Sequence, residues 1–242
     1  MRALRVLTVS EAKVLLRDPA AVLFTVALPL LVLFVFGEAF GNVPDVQDGR
    51  GTIDLSIPGY LGMIAATVAF IGIPISVASY REQGVLDRFH ASGVHPLTLL
   101  AAQSLVHLAL TILGAGSMLA VAWVRYGPTP PPQALALLLA YPLAALALQM
   151  LGFALGGVLP SARAAQAVGT ALFFPMLFLS GAAFPRELLS DEVRRVGEVL
   201  PVAFAIDLVE GLWMGSGWDP LATAVLTALA MAGAAVAVRA AR

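Results

Sequence analysis

Few side chains in this 242-residue chain can do chemistry, and their spacing excludes most reactions. The single lysine, Lys13, belongs to no Gly-x-x-x-x-Gly-Lys-Ser/Thr run, so the chain has no P-loop of its own for ATP. It has no His-Glu-x-x-His zinc motif and no Gly-x-Ser-x-Gly nucleophile elbow. Without cysteine there is no disulfide, thiolate metal site or cysteine nucleophile. Three histidines remain. His90 and His95 sit in a charged segment, where solvated or helix-capping roles suit them. His107 lies in an apolar run, with Gln103 one turn earlier on the same face. An ionisable group there is a candidate functional residue. No acid lies in any apolar run to pair with it, so the expectation is a neutral imidazole hydrogen-bonded to a neighbouring helix. Gln149 and Gln166 are read the same way.

The richest cluster of charge is SYREQGVLDRFHASGVHPL, residues 79–97, with Arg81, Glu82, Asp87 and Arg88 between two long apolar runs. The elements around it follow from composition. The chain is 60% hydrophobic and 12% charged, against about 25% charged for a soluble domain, and its mean hydropathy is +0.90. These values predict an all-α polytopic membrane protein. At about 20 residues per span, the charge-free runs give six spans: 19–37, 55–80, 97–122, 134–158, 164–185 and 220–238. Pro29, Pro74, Pro142 and Pro175 fall inside them and predict kinks. The first run is longer than a signal-peptide core and follows acids as well as bases, so it is read as a retained span. The remainder holds no soluble domain; 1–242 is expected to be one membrane domain.

A seventh run, 199–218, is set aside. Asp207 and Glu210 near its middle would cost about 2.5–3.5 kcal/mol each, while each aliphatic or phenylalanine residue returns only about 0.3–0.6 kcal/mol. The stretch 186–219 is therefore expected to dip into the outer leaflet or lie on it. With six spans, cytoplasmic termini place Arg2, Arg5, Lys13, Arg17, Arg81, Arg88, Arg163, Arg239 and Arg242 inside. Only Arg50, Arg125, Arg186, Arg194 and Arg195 then fall outside, which favours this orientation. Residues 1–18 predict an interfacial helix, with Arg2, Arg5, Lys13 and Arg17 toward anionic lipid headgroups and Leu4, Leu7, Val14 and Leu15 opposite. Glu11 interrupts the apolar face. A basic anchor that only sets topology fits these residues equally well. No basic run tracks a nucleic-acid backbone, so no nucleic-acid partner is expected.

Residues 81–93 predict a short helix on the cytoplasmic side, stopped by Gly93 and Pro96 and interrupted only by Gly84. Val85 and Phe89 are one turn apart, with Leu86 beside them. An apolar patch rimmed by charge marks a docking site more often than a plain turn. Gly152 and Gly156 form a Gly-x-x-x-Gly pair, whose physical use is close helix packing.

Three stretches carry a family resemblance. Tyr80-Arg81-Glu82-x-Gly84-x-Leu86-x-Arg88 resembles the segment after the second span of type-2 ABC transporter permeases. Leu179-Ser180-Gly181-Ala-Ala-Phe184-Pro185 and Leu200-Pro201-x-x-Phe204-Ala205-x-Asp207 resemble later family motifs, in family order. The likeness covers nearly the whole chain and is nearest to drug-export permeases of the daunorubicin-resistance type. Glu210 departs from it, since relatives often carry arginine after that aspartate.

The resemblance implies a job for each piece. Residues 81–93 would be a coupling helix in a cleft of a separate ATPase, and two ATPases and two permeases would make the transporter, as a homodimer or heterodimer. ATP and Mg would bind to the ATPase; this chain would hold no cofactor and catalyse no reaction. The location would be a bacterial or archaeal plasma membrane. Dimer contacts and the substrate path would involve chiefly the first, second and fifth spans.

The expected mechanism is a mechanical push by the ATPase on 81–89. Arg81, Glu82, Gly84, Leu86, Arg88 and Phe89 form the coupling set. Leu86 and Phe89 are the apolar anchors, and Glu82 and Arg88 pair with ATPase charges. Ser180, Gly181, Pro185, Pro201 and Asp207 form the outer gate. Charge-free spans predict a hydrophobic or amphipathic cargo, with Phe70, Phe173, Phe174, Met176 and Phe178 as candidate path residues that fit core packing or lipid contact equally well. Three alternatives remain open. One is export of a lipid-linked glycan or polysaccharide precursor, another a stand-alone carrier or channel, and the third a non-transporting anchor or sensor. Charge-free spans speak against an ion-coupled carrier.

Overall fold

The computed structural model describes residues 2–43, 49–85, 88, 95–183 and 190–240. Those residues form helices and no strand. In chain order they are α1 (Arg2–Leu16), α2 (Pro19–Phe40), α3 (Thr52–Thr67), a π-helical turn (Val68–Gly72), α4 (Ile73–Glu82), α5 (Pro96–Tyr126) and α6 (Ala134–Val158). Then come α7 (Ala162–Leu179), α8 (Asp191–Gly197), α9 (Pro201–Met214) and α10 (Pro220–Ala240). Six helices are long and apolar enough to span a bilayer: α2, the continuous stretch Thr52–Glu82, α5, α6, α7 and α10.

The six agree with the runs read from sequence, and the ends differ for local reasons. The second span extends to Thr52 and Glu82 because polar residues at both ends continue the helix. At 31 residues it is about 46 Å long, more than the roughly 30 Å hydrocarbon core needs. The third reaches Tyr126 rather than 122. Its other end is capped as expected, by the His95 ring, whose Nδ1 accepts from the Leu97 N–H at 3.3 Å. The fifth span stops at Leu179, short of 185, where the chain turns through Ser180 to Ala183.

The second span is the pillar of the fold. It packs against α2, α5, α6, α7 and α9, and 72% of its most apolar stretch is buried, against 22% for the first and last spans. The π-turn at Val68–Gly72 breaks the regular ladder midway along it. The Ala69 and Phe70 carbonyls of this turn abut glycines: a Cβ at Gly152 would overlap the Ala69 oxygen, and one at Gly169 the Phe70 oxygen. One turn on, a Cβ at Gly156 would lie 2.8 Å from Val77 Cβ and 2.9 Å from Pro74 Cα. The Gly-x-x-x-Gly pair is therefore the face by which α6 meets the second span.

α9 is 14 residues long, about 21 Å, too short to span. It does not lie on a surface. It is wedged between α3, α6 and α10, with Val202, Ile206, Leu208, Val209, Leu212 and Trp213 buried. Asp207 and Glu210 share its half-buried face with Phe204.

Because α6 seats on the pillar without any room for a side chain, Gly152→Val should disrupt the bundle. Overpacking of this kind costs about 1–3 kcal/mol. The expected result is a lower melting temperature in detergent, while Gly116→Ala, where a Cβ meets nothing within 4 Å, melts like the parent.

Candidate functional site

Three helices meet at the Arg81 end of the second span. Arg81, in the last turn of α4, points into the bundle rather than away from it. Its Nη1 donates to the Leu159 carbonyl at 3.2 Å, and its Nη2 donates to the carbonyls of Gly157 and, at 3.4 Å, Ala240. Those oxygens terminate α6 and α10, where carbonyls lack helical donors and carry partial negative charge. A guanidinium there contributes about 0.3–1 kcal/mol through the helix dipole alone.

The preceding residue holds a different element. Tyr80 Oη donates to Glu11 Oε1 and Oε2 at 3.1 and 3.0 Å, and Gln103 Nε2 donates to Glu11 Oε2 at 3.4 Å. Glu11 is buried and so belongs to the inward face of α1, beside Leu7 and half-buried Leu4 and Leu15. The acid that seemed to interrupt an apolar stripe is the polar pin of that stripe, whereas Val14 faces outward. Both terminal elements, α1 and α10, thus join the same end of the pillar.

Beyond Arg81 the chain changes course. α4 ends at Glu82, and Gly84 adopts φ 62, which a glycine takes without strain. Gly84, the one breaker expected within residues 81–93, is where the helix ends. A new helical hydrogen bond starts at once, from Arg88 N–H to the Gly84 carbonyl at 3.3 Å. Glu82, Gln83 and Arg88 are exposed. Leu86 and Phe89, with Asp87, His90 and 91–94, lie outside the described residues.

The opposite end of the pillar is organised alike. Arg50, just before α3, donates from Nη1 to the Trp213 carbonyl and Met214 Sδ at 3.1 and 3.2 Å, and from Nη2 to the Met214 carbonyl at 3.2 Å. It closes the C-terminus of α9. Buried Asp54 accepts from the backbone N–H of Gly51 at 3.2 Å and of Thr129 at 2.6 Å. Asn42 Oδ1 accepts from the N–H groups of Ile53 and Asp54 at 3.1 and 3.3 Å. Sequence reasoning passed over this cluster, because ending the run at Leu55 put Asp54 in a loop. The available clue was Gly51 three residues before Asp54, the spacing of a helix N-terminal box.

Of the residues expected to form an outer gate, Ser180 and Gly181 lie in a turn packed against the pillar. Ser180 Oγ donates to the Met176 carbonyl at 2.5 Å, and Gly181 has φ 87. A Cβ on Gly59 of α3 would overlap the Gly181 carbonyl, and one on Gly197 of α8 the Leu179 carbonyl. Pro201 begins α9; Phe184 and Pro185 lie outside the described residues. The candidate path residues do not share one surface. Phe70, Phe173 and Met176 are buried in the core, whereas Phe174 and Phe178 are exposed on α7, stacked with centroids 6.3 Å apart.

The intramembrane polar residues divide similarly. His107 Nδ1 donates to the Gln103 carbonyl at 2.9 Å, within its own helix, and its ring packs edge-on against Phe153 of α6. In the orientation that satisfies its amide, Gln149 donates to the Ser104 carbonyl and accepts from Leu108 N–H, at 3.2 Å each. It therefore bonds a neighbouring helix, as expected, whereas Gln166 is exposed and does not. Among the described residues no cluster of three or more histidines and acids could hold a metal ion.

Residues 2–212 match the family model described as ABC-2 type transporter. The chain belongs to that family. It is the permease subunit of an ABC transporter, and permeases of this family pair with an ABC ATPase subunit. The permease is 28% identical over 198 residues to Nodulation protein J of Rhizobium meliloti (strain 1021), covering 81% of this chain and 75% of the relative. It is also 28% identical over 214 residues to Nodulation protein J of Rhizobium leguminosarum bv. viciae, covering 86% and 79%.

Burial raises the Glu11 carboxyl above its ordinary 4.5, against the lowering effect of the Tyr80 and Gln103 hydrogen bonds. The docked state of α1 thus binds this proton more tightly than the undocked state. Docking is strongest below pH 4.5 and weakens as pH rises through the raised value. A spin label at exposed Val9 should grow more mobile as pH rises across that window, and Glu11→Gln should flatten the response.

Proposed function

We propose that this permease exports a hydrophobic or amphipathic molecule, with residues 81–93 as the segment on which its ATPase docks. The carrying observation is that the most enclosed span ends in exposed Glu82, Gln83 and Arg88 beyond a glycine turn. A pillar held by five other helices, yet tipped with an exposed charged segment, suits a part that is pushed from outside and moves its neighbours. ATP and Mg are bound by two ATPase copies, and this chain contributes no nucleotide chemistry. Leu86 and Phe89 are the anchors, Glu82 and Arg88 the charged partners of the ATPase. α1 lies in the inner interface against lipid headgroups. The protein sits in a bacterial or archaeal plasma membrane with both termini cytoplasmic.

A second permease copy, identical or homologous, completes the assembly. The second span is enclosed within the protomer, which leaves α2 and α7 as the dimer-forming spans. They expose Phe24, Leu31 and Phe34, and Phe174 and Phe178, respectively. The turn at Ser180–Gly181, with Pro185, Pro201 and Asp207, forms the outer gate. An apolar cargo is supported by that aromatic surface and by the lack of charge in the middle of the spans. The drug-export subtype rests on the motif resemblance, since both relatives are named for nodulation rather than drug resistance. Export of a lipid-linked glycan precursor would use the same machinery.

The test is transport by the permease reconstituted with the ATPase that co-purifies with it. Leu86→Asp should insert normally into the membrane and lose ATP-driven export. Export at the parent rate in that variant would refute ATPase docking at this segment. Comparing a daunorubicin-like drug with a lipid-linked glycan as cargo selects between the two substrate classes.

A further inference from the structure

We infer that Arg81 is a positioning residue that fastens the coupling segment to two other spans, and not a contact for the ATPase. The inference rests on residues 81–93 being the docking segment. Arg81 and Glu82 are neighbours in the coupling motif, yet they face opposite ways. Glu82 is exposed, while the Arg81 guanidinium reaches the Gly157, Leu159 and Ala240 carbonyls. A planar fork of donors can hold several oxygens in a fixed geometry, which a lysine ammonium cannot do. The oxygens are the terminal acceptors of α6 and α10, so the grip falls on helix ends rather than on side chains that rotate.

Those two ends are already brought together. A Cβ at Gly157 would lie 2.8 Å from the Ala240 Cβ, so α6 and α10 converge there. α6 and α10 also form the most extensive helix pair in the protein. α6 is further locked to the pillar at the π-turn through Gly152. A displacement of 81–93 therefore meets a closed frame of α4, α6 and α10, with Arg81 as its corner. The glycine turn lies on the far side of that corner, between the frame and exposed Arg88.

The experiment uses the full permease–ATPase complex in proteoliposomes, with Arg81→Gln, Arg81→Lys and the exposed neighbour Glu82→Ala. Binding of the ATPase, ATP hydrolysis and cargo moved per ATP are each measured. Arg81→Gln should bind the ATPase and hydrolyse ATP like the parent, while cargo moved per ATP falls about tenfold or more. Arg81→Lys should recover part of that ratio. Since the chain has no cysteine, spin labels at Gln83 and Arg239 report the frame directly. In the parent their separation should stay constant on adding ATP and Mg, and in Arg81→Gln it should broaden. Weaker ATPase binding with an unchanged ratio would make Arg81 a docking residue and overturn the inference. So would an unchanged ratio with unchanged binding. If Arg81→Gln does not fold, the label pair in the parent decides alone, and a nucleotide-dependent change in separation overturns the inference. A parent complex that neither binds the ATPase nor transports would instead remove the docking reading itself, and this inference with it.

Discussion

Helix ends must find partners for their last carbonyls, and in a bundle with little free water those partners have to come from the chain. This protein meets the demand with two arginines placed at either end of its most buried span. Arg50 closes α9 and Arg81 closes α6 and α10. Both present a planar fork of donors that can hold several carbonyls at once. The second span consequently acts as more than a packing core. Its two ends are tied by hydrogen bonds to the ends of three other helices.

Between the arginines, cohesion depends on the close approach of backbones. A bilayer provides little hydrophobic drive for one apolar helix to meet another, so contact area and small residues do the holding. Gly152 and Gly169 flank the π-turn, Gly156 meets Pro74 and Val77 just beyond it, and Gly59 receives the Gly181 turn. The same span thus contacts α6 and α7 in its middle and the Ser180–Gly181 turn nearer the Arg50 end. Packing is therefore continuous from the Arg81 end of the span to the Ser180–Gly181 turn.

Charge in this chain is economical and structural more often than it looks from the sequence. Glu11 pins α1 to the pillar, Asp54 gathers the α3 N-terminus and the loop after α5, and Arg50 and Arg81 hold helix ends. What remains exposed near Arg81, namely Glu82 and Arg88, is available for a partner. Neighbouring charges in one motif therefore divide into an inward group that holds helix ends and outward groups open to solvent.

The amino-acid sequence by itself determined the helical class, the six spans and the short seventh helix. Each follows from a local balance, apolar transfer against the penalty of a charge, summed over about 20 residues. It also determined the family, through three motifs in order. The fourth span, 134–158, has the ends read from sequence, because Gln133 and the loop before Ala162 bracket a clean apolar run. Local balances say nothing about which way a side chain turns once helices pack. Only the tertiary structure turned Arg81 inward, placed Glu11 on the buried face of α1, and split five phenylalanines and methionines between core and surface. Those outcomes depend on carbonyls and hydroxyls from residues 69 to 159 positions distant along the chain, and on how closely glycines let their helices approach. No window of sequence contains both partners of such a contact, so the bundle had to form before they could meet.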